Sequence, residues 1–176
     1  MTLYKNRYRV ESTRLSHWDY SSSAWYFVTI CTRDKDCSLG EIAGDTVRLS
    51  SVGQIVFEEW NHVLCIWPTV STGDFVIMPN HVHGIVILGD TSVETRLRGV
   101  STRDGVRRPT LGTVIRQFKS RSTTRIWATG HRDFGWQSRF HDRIIRGERE
   151  LTAIRQYIAN NPAKWALDKE NPANLR

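Results

Sequence analysis

The chain reads as an α+β domain of the split βαβ, ferredoxin-like class: an antiparallel sheet with helices on one face, an added early hairpin and a C-terminal helix. Three observations predict it. Runs rich in aromatic and β-branched residues, AWYFVTICT, DFVIM and HVHGIVIL, have the composition of strands. Two long stretches, and a third near the C-terminal end, repeat apolar residues at helical spacing. These segments follow one another as strand, helix, strand, strand, helix, strand.

Residues 24–32 form the first strand. Residues 38–50 place Gly44-Asp45 between two short alternating runs, the pattern of a β-hairpin. Ser51, with Gln54 three residues on, makes a capping-box pattern. Val52, Ile55, Val56, Trp60, Val63, Leu64 and Trp67 then share one helical face, which predicts a helix over 51–66, ended by Pro68. Strands at 74–78 and 81–88 are joined by a tight turn at Pro79-Asn80. Over 89–109 the pattern gives way to polar and arginine-rich residues, expected to form a mobile loop. Helical period returns over 111–127, through Leu111, Val114, Ile115, Phe118 and Ile126. A further strand lies within 134–145, and 148–161 is a helix stopped by Pro162. The expected organisation is a basic N-terminal tail (1–23), one domain (24–165) and a C-terminal tail (166–176).

Composition sets the outer limits. With 176 residues, 39% hydrophobic and 24% charged, the chain is globular rather than disordered. Its apolar stretches fall short of the roughly 18 residues a membrane helix needs. The basic N-terminal stretch leads into no apolar signal core, so a cytoplasmic location is expected. Cys31, Cys37 and Cys65 form no CxxC pair and are odd in number, which fits reduced thiols better than a disulfide scaffold or zinc ribbon. The net charge of +7 is unevenly spread: residues 34–95 carry −7 and residues 96–155 carry +10, mostly as arginine. A basic face of that kind suggests a nucleic-acid partner, and arginine forks onto phosphate better than lysine. A solvated basic surface is the alternative.

Two constellations carry possible chemistry. His81-Val82-His83 lies within a strand, where side chains two apart share a face, so both imidazoles project together and can grip one metal ion. Two half-exposed polar strand residues are the plainer reading. On the terminal helix, Tyr157 and Asn161 stand one turn apart on a common face beside the apolar stripe Leu151, Ile154 and Ile158. A packed tyrosine and an ordinary helix end before Pro162 would give the same pattern.

Taken together, YFVTICTRD, MPNHVHGIVIL, LGTVIRQFKS and WQSRFHDRIIRGERELTAIRQYIANNPAKW resemble the single-tyrosine HUH transposases. The resemblance is strongest to the REP-associated tyrosine transposases, relatives of the insertion-sequence-200-like enzymes. It spans residues 14–165, with the motif order intact. It implies that His81 and His83 are metal ligands, that Tyr157 is the catalytic nucleophile and that Asn161 supplies a third, amide ligand. It further implies a single-stranded DNA substrate bearing a hairpin or palindromic repeat. The tyrosine would attack the scissile phosphate to leave a 5′-phosphotyrosine and a free 3′-OH. One divalent ion, Mg2+ or Mn2+, would polarise that phosphate. Two imidazoles are softer than magnesium's preferred oxygen shell, so manganese is expected to serve better in vitro. Relatives of this kind are monomers or homodimers.

The resemblance also gives the basic residues tasks. Arg116, Lys119, Arg121 and Arg125 would track a DNA backbone along one helix. Arg143 and Arg146 would hold phosphate near the tyrosine, and Arg14 would contact a hairpin or its flank. Trp18, Trp25 and Trp136 are candidates to stack on unpaired bases, with burial the preferred reading for Trp25. A non-catalytic DNA-hairpin binding or regulatory protein descended from a transposase is the competing function, and the intact set His81, His83 and Tyr157 argues against it. If 96–155 forms a DNA face, affinity for a single-stranded hairpin should fall steeply with salt, with a log–log slope of roughly −0.7 per neutralised phosphate. Filter binding between low and physiological salt tests this, and a slope near zero would remove the arginine track.

Overall fold

The computed structural model describes residues 18–89 and 108–174. Arg14 and most of the expected 89–109 loop lie outside the described residues. The aromatic and β-branched run near the start forms β1 (Ala24–Cys31) at an interior position of a four-stranded antiparallel sheet. A hairpin follows, β2 (Gly40–Ala43) and β3 (Thr46–Leu49), with Gly44 at φ +62° in the turn, a backbone region that favours glycine. Helix α1 (Ser51–Ile66), strands β4 (Val70–Met78) and β5 (His81–Leu88), helix α2 (Leu111–Ala128), strand β6 (His141–Ile145) and helix α3 (Glu148–Asn160) complete the domain. The sheet order is β4-β5-β1-β6, the antiparallel arrangement the element order predicts.

Some boundaries differ from those the sequence suggests. The cap of α1 is Ser50 rather than Ser51: its backbone is extended and its Oγ accepts the Gly53 N–H at 3.0 Å. Strand β4 starts four residues early, because a bulge between Thr72 and Phe75 interrupts the alternation that marks a strand. At the end of α3, Asn161 keeps helical dihedrals and Pro162 opens a 3-10 turn (Pro162–Leu167), so the chain tightens there instead of stopping.

Two apolar layers flank the sheet. Tyr26, Val28, Ile30, Val82 and Val86 join Val52, Val56 and Trp60 of α1 with Val114, Ile115 and Phe118 of α2 in the main core. On the opposite face, Ile85 meets Leu151, Ile154 and Ile158 of α3, with Phe27, Val76, Ile87 and Ile145 packed around them. The single helical face of the sequence reading therefore holds for α1 and α2, while α3 covers the other face. The reason is visible in HVHGIVIL, which is apolar on both sides of its pleat and needs two covers.

Between α1 and α2 lies a charged tie. Glu59, 2% exposed, accepts from Arg121 Nε at 2.8 Å and Arg125 Nη1 at 3.0 Å, and Arg125 also reaches Glu58 at 2.6 Å. Burial pushes the Glu59 carboxyl up, and the two guanidiniums more than offset it, so it stays charged. No described helix is long and apolar enough to cross a membrane.

Gly84 sits directly under Trp60, where an added Cβ would lie 2.4 Å from Cζ2 of the buried indole. Gly84→Ala should cost about 1–3 kcal/mol through overpacking. Urea denaturation measures this, and unchanged stability would mean that Trp60 moves aside freely.

Candidate active site

Strand β5 is held on both sides. His81 pairs with Cys31 and Met78, and His83 with Thr29 and Val76, so neither backbone can shift without breaking two ladders. Both imidazoles point toward the α3 face and are buried, at 0% and 1% exposure. Their ring centroids lie 4.4 Å apart.

Each ring is oriented by a neighbour. The Asn80 amide nitrogen donates to two backbone carbonyls, those of Glu170 at 2.7 Å and Lys35 at 3.1 Å. Its oxygen therefore accepts from His81 Nδ1 at 2.8 Å, which leaves the lone pair on His81 Nε2. His83 Nδ1 meets Thr29 Oγ1 at 2.9 Å, and His83 Nε2 lies 3.2 Å from the Tyr157 hydroxyl. Phe27 stacks on His83 at 5.2 Å and meets the Tyr157 ring edge-on at 5.9 Å, fixing the two rings against each other.

The structure thus brings together His81, His83 and Tyr157, and Asn161 lines the same cavity as Tyr157. Two of their atoms, His81 Nε2 and Asn161 Oδ1, are buried and have no hydrogen-bond partner among the described residues. Orphaned buried acceptors are costly, and a cation is one group that can satisfy such lone pairs. The donor set of two imidazoles and an amide oxygen fits a divalent ion.

Asp168 joins them, a residue the sequence reading assigned to the C-terminal tail. Its carboxylate and ligand atoms of His81 and His83 all lie within 4.8 Å of one another. No motif spacing marks it; the only signal is an acid shortly after the site helix. A cavity of about 520 Å3 opens beside Tyr157, lined by Gln156, Asn160, Asn161, Lys164, Leu167 and Lys169 among others.

Burial pushes both imidazoles down to about 3, with Lys169 adding to the effect at His81 and His81 adding to it at His83. Both imidazoles are therefore neutral at neutral pH, the form in which a histidine can hold a cation. Burial and the Asp168 carboxylate raise Tyr157, so its hydroxyl keeps its proton at rest.

No family model matches the chain. A Haemophilus influenzae protein described as uncharacterized is 34% identical over 165 residues, covering 90% of this chain and 91% of that protein. The chain belongs to the same family as this Haemophilus protein. Among solved structures, a REP-associated tyrosine transposase bound to a REP hairpin is similar over 90% of this chain and 77% of its own, with 21% identity and a TM-score of 0.51. Its fold is the fold of this chain. A protein of Deinococcus radiodurans R1 named as a candidate transposase aligns over 85% of this chain and 97% of its own, with 13% identity and a TM-score of 0.49.

The basic residues divide into two groups. Arg121 and Arg125 are committed to Glu59 and Glu58. Lys119 donates to the carbonyls of Gln137 and Arg139, both at 2.8 Å, and burial lowers it to about 8. Arg143 pairs with Glu150 at 2.6 Å, yet it is exposed, as are Arg116 and Arg146. Trp136 packs between Phe118 and Phe134 and donates to Ser122 Oγ at 3.0 Å, which holds it half-buried against the core. Trp25, expected to be buried, is 37% exposed, because it lies on the α3 face beyond the reach of that short helix.

The histidines also make a stability prediction. Their folded values lie below the ordinary value of 6.5, so the unfolded chain binds protons that the folded one refuses. Stability should rise with pH between about 3 and 6.5 and level off above, by at most about 1.4 kcal/mol per pH unit for each histidine. Denaturant titrations at several pH values should show this slope, and it should flatten in His81→Gln. An equal slope in that variant would place the titration elsewhere.

Proposed function

We propose that this protein is a metal-dependent single-stranded DNA transposase that recognises hairpin-forming palindromic repeats and cleaves and rejoins strands through a 5′-phosphotyrosine. The observation that carries the reading is the Tyr157 hydroxyl, 3.2 Å from His83 Nε2, with the His81 ring 4.4 Å from that of His83 and His81 Nε2 and Asn161 Oδ1 both orphaned buried acceptors. A nucleophile beside a ligand set is what phosphoryl transfer through a covalent enzyme intermediate requires. His81, His83 and Asn161 would hold the ion, Mg2+ or Mn2+, whose contribution when bound is to polarise the scissile phosphate and offset the charge that develops on it.

The remaining work falls to the chain's own residues. Helix α3 delivers Tyr157 at the wall of the cavity, where the residue is 42% exposed and open to a strand from solvent. Its oxygen forms the bond to phosphorus as the bond from phosphorus to the 3′ oxygen breaks; the phenol gives its proton to solvent and the departing 3′ oxygen takes one up to become the free 3′-OH. The phosphodiester energy is kept in the tyrosyl link, so a second 3′-OH reverses the step. The REP hairpin in the similar solved structure supports hairpin DNA as the partner, and action on DNA supports a cytoplasmic setting. Against a purely DNA-binding descendant stands the cost of keeping those orphaned acceptors buried.

Tyr157→Phe removes the attacking oxygen and leaves the ring on Phe27. It should bind a hairpin substrate about as well as wild type while cleavage drops by several orders of magnitude. Wild type should become linked to the fragment on the 3′ side of the cut. Denaturing electrophoresis with either end labelled reads both results. Cleavage by the variant, or an adduct on the opposite fragment, would overturn the mechanism.

A further inference from the structure

The chain beyond α3 turns back onto the histidines. Past the 3-10 turn Pro162–Leu167, Asp168 and Glu170 are each 8% exposed. The Asp168 carboxylate accepts the Glu170 N–H at 2.6 Å and forms no ion pair among the described residues. A buried carboxylate facing neutral imidazoles calls for a cation.

Four contacts fasten this segment to the turn before β5, to the end of β1 and to Lys35 just beyond it. The Asn80 amide donates to the Glu170 carbonyl at 2.7 Å. Lys35 Nζ pairs with Glu170 Oε2 at 3.1 Å and reaches the Lys169 carbonyl at 3.4 Å. The Cys31 thiol donates to the same Glu170 oxygen at 3.6 Å. Asn80 is completely buried, and its other end accepts from His81 Nδ1. One side chain therefore holds both the strand that supplies the histidines and the segment that supplies the carboxylate.

We propose that Asp168 is a carboxylate ligand of the metal centre, and that Asn80 is the positioning residue that seats it while fixing His81 with Nε2 toward the ion. The proposal rests on the same metal site as the function proposed above. A carboxylate supplies the hard oxygen that Mg2+ and Mn2+ prefer, which two imidazoles lack. Residues orienting ligands in this way typically contribute 10–100-fold to metal affinity.

The test uses Mn2+ alone, titrated into the DNA-free protein and read by calorimetry and by the loss of the free-ion electron paramagnetic resonance signal. Asp168→Asn keeps the shape and the acceptor for the Glu170 N–H and removes only the charge. It should bind Mn2+ about tenfold or more weakly. Asn80→Asp keeps the oxygen that faces His81 and replaces the donor that holds Glu170, so it should weaken binding in the wild-type background. In the Asp168→Asn background it should change little, because the ligand it seats is already gone. If Asn80→Asp does not fold, Lys35→Met, which cuts the ion pair to Glu170, takes its place in the cycle. Wild-type affinity in Asp168→Asn would overturn the ligand assignment, and additive losses would overturn the positioning role. No Mn2+ binding by the wild-type protein would instead remove the metal reading of the whole site.

Discussion

Burial of β5 on both faces is the constraint on which the rest of the structure depends. Val82 and Val86 need the α1–α2 layer, and Ile85 needs α3. His81 and His83 share Ile85's face, so the helix that covers the isoleucine necessarily brings its own side chains over the imidazoles. Core packing and site assembly are thus one event: Leu151, Ile154 and Ile158 seat α3, and Tyr157 arrives beside His83 as a consequence. Gly84 serves the same strand from the other side, leaving room for Trp60 where any side chain would collide.

Electrostatics follow from that burial. Desolvation keeps both histidines neutral and the tyrosine protonated, the states in which imidazole can ligate a cation and a phenol can wait without reacting. The cost is that two acceptors, His81 Nε2 and Asn161 Oδ1, are buried with no partner among the described residues. Sites that need a cation commonly carry such a deficit, because a full set of internal hydrogen bonds would compete with the ion.

The arginines show how one residue type serves two ends. Arg121 and Arg125 neutralise a carboxylate that α1 buries, and each engages at least one donor on it. Arg116 and Arg146 remain exposed and able to meet phosphate. Charge count alone does not separate these groups, since it registers that a helix is basic and not which side chains its neighbour has already engaged.

By itself, the sequence determined the periodicities and hence the elements: the span of α1, the hairpin around Gly44, strand β5 and the split βαβ order are local patterns of apolar spacing and turn residues. It also determined that His81 and His83 share a face and that Tyr157 and Asn161 share another, since both follow from pleat and helix geometry. Only the tertiary structure decided that these two faces meet. It also decided that α3 takes the opposite side of the sheet from α1 and α2, that Asp168 belongs with the histidines, and that Asn80 ties its segment to His81. The physical reason is range. Contacts such as Asn80 to Glu170 and Tyr157 to His83 join residues 90 and 74 positions apart. Nothing in the local spacing records which buried surface a distant segment will cover.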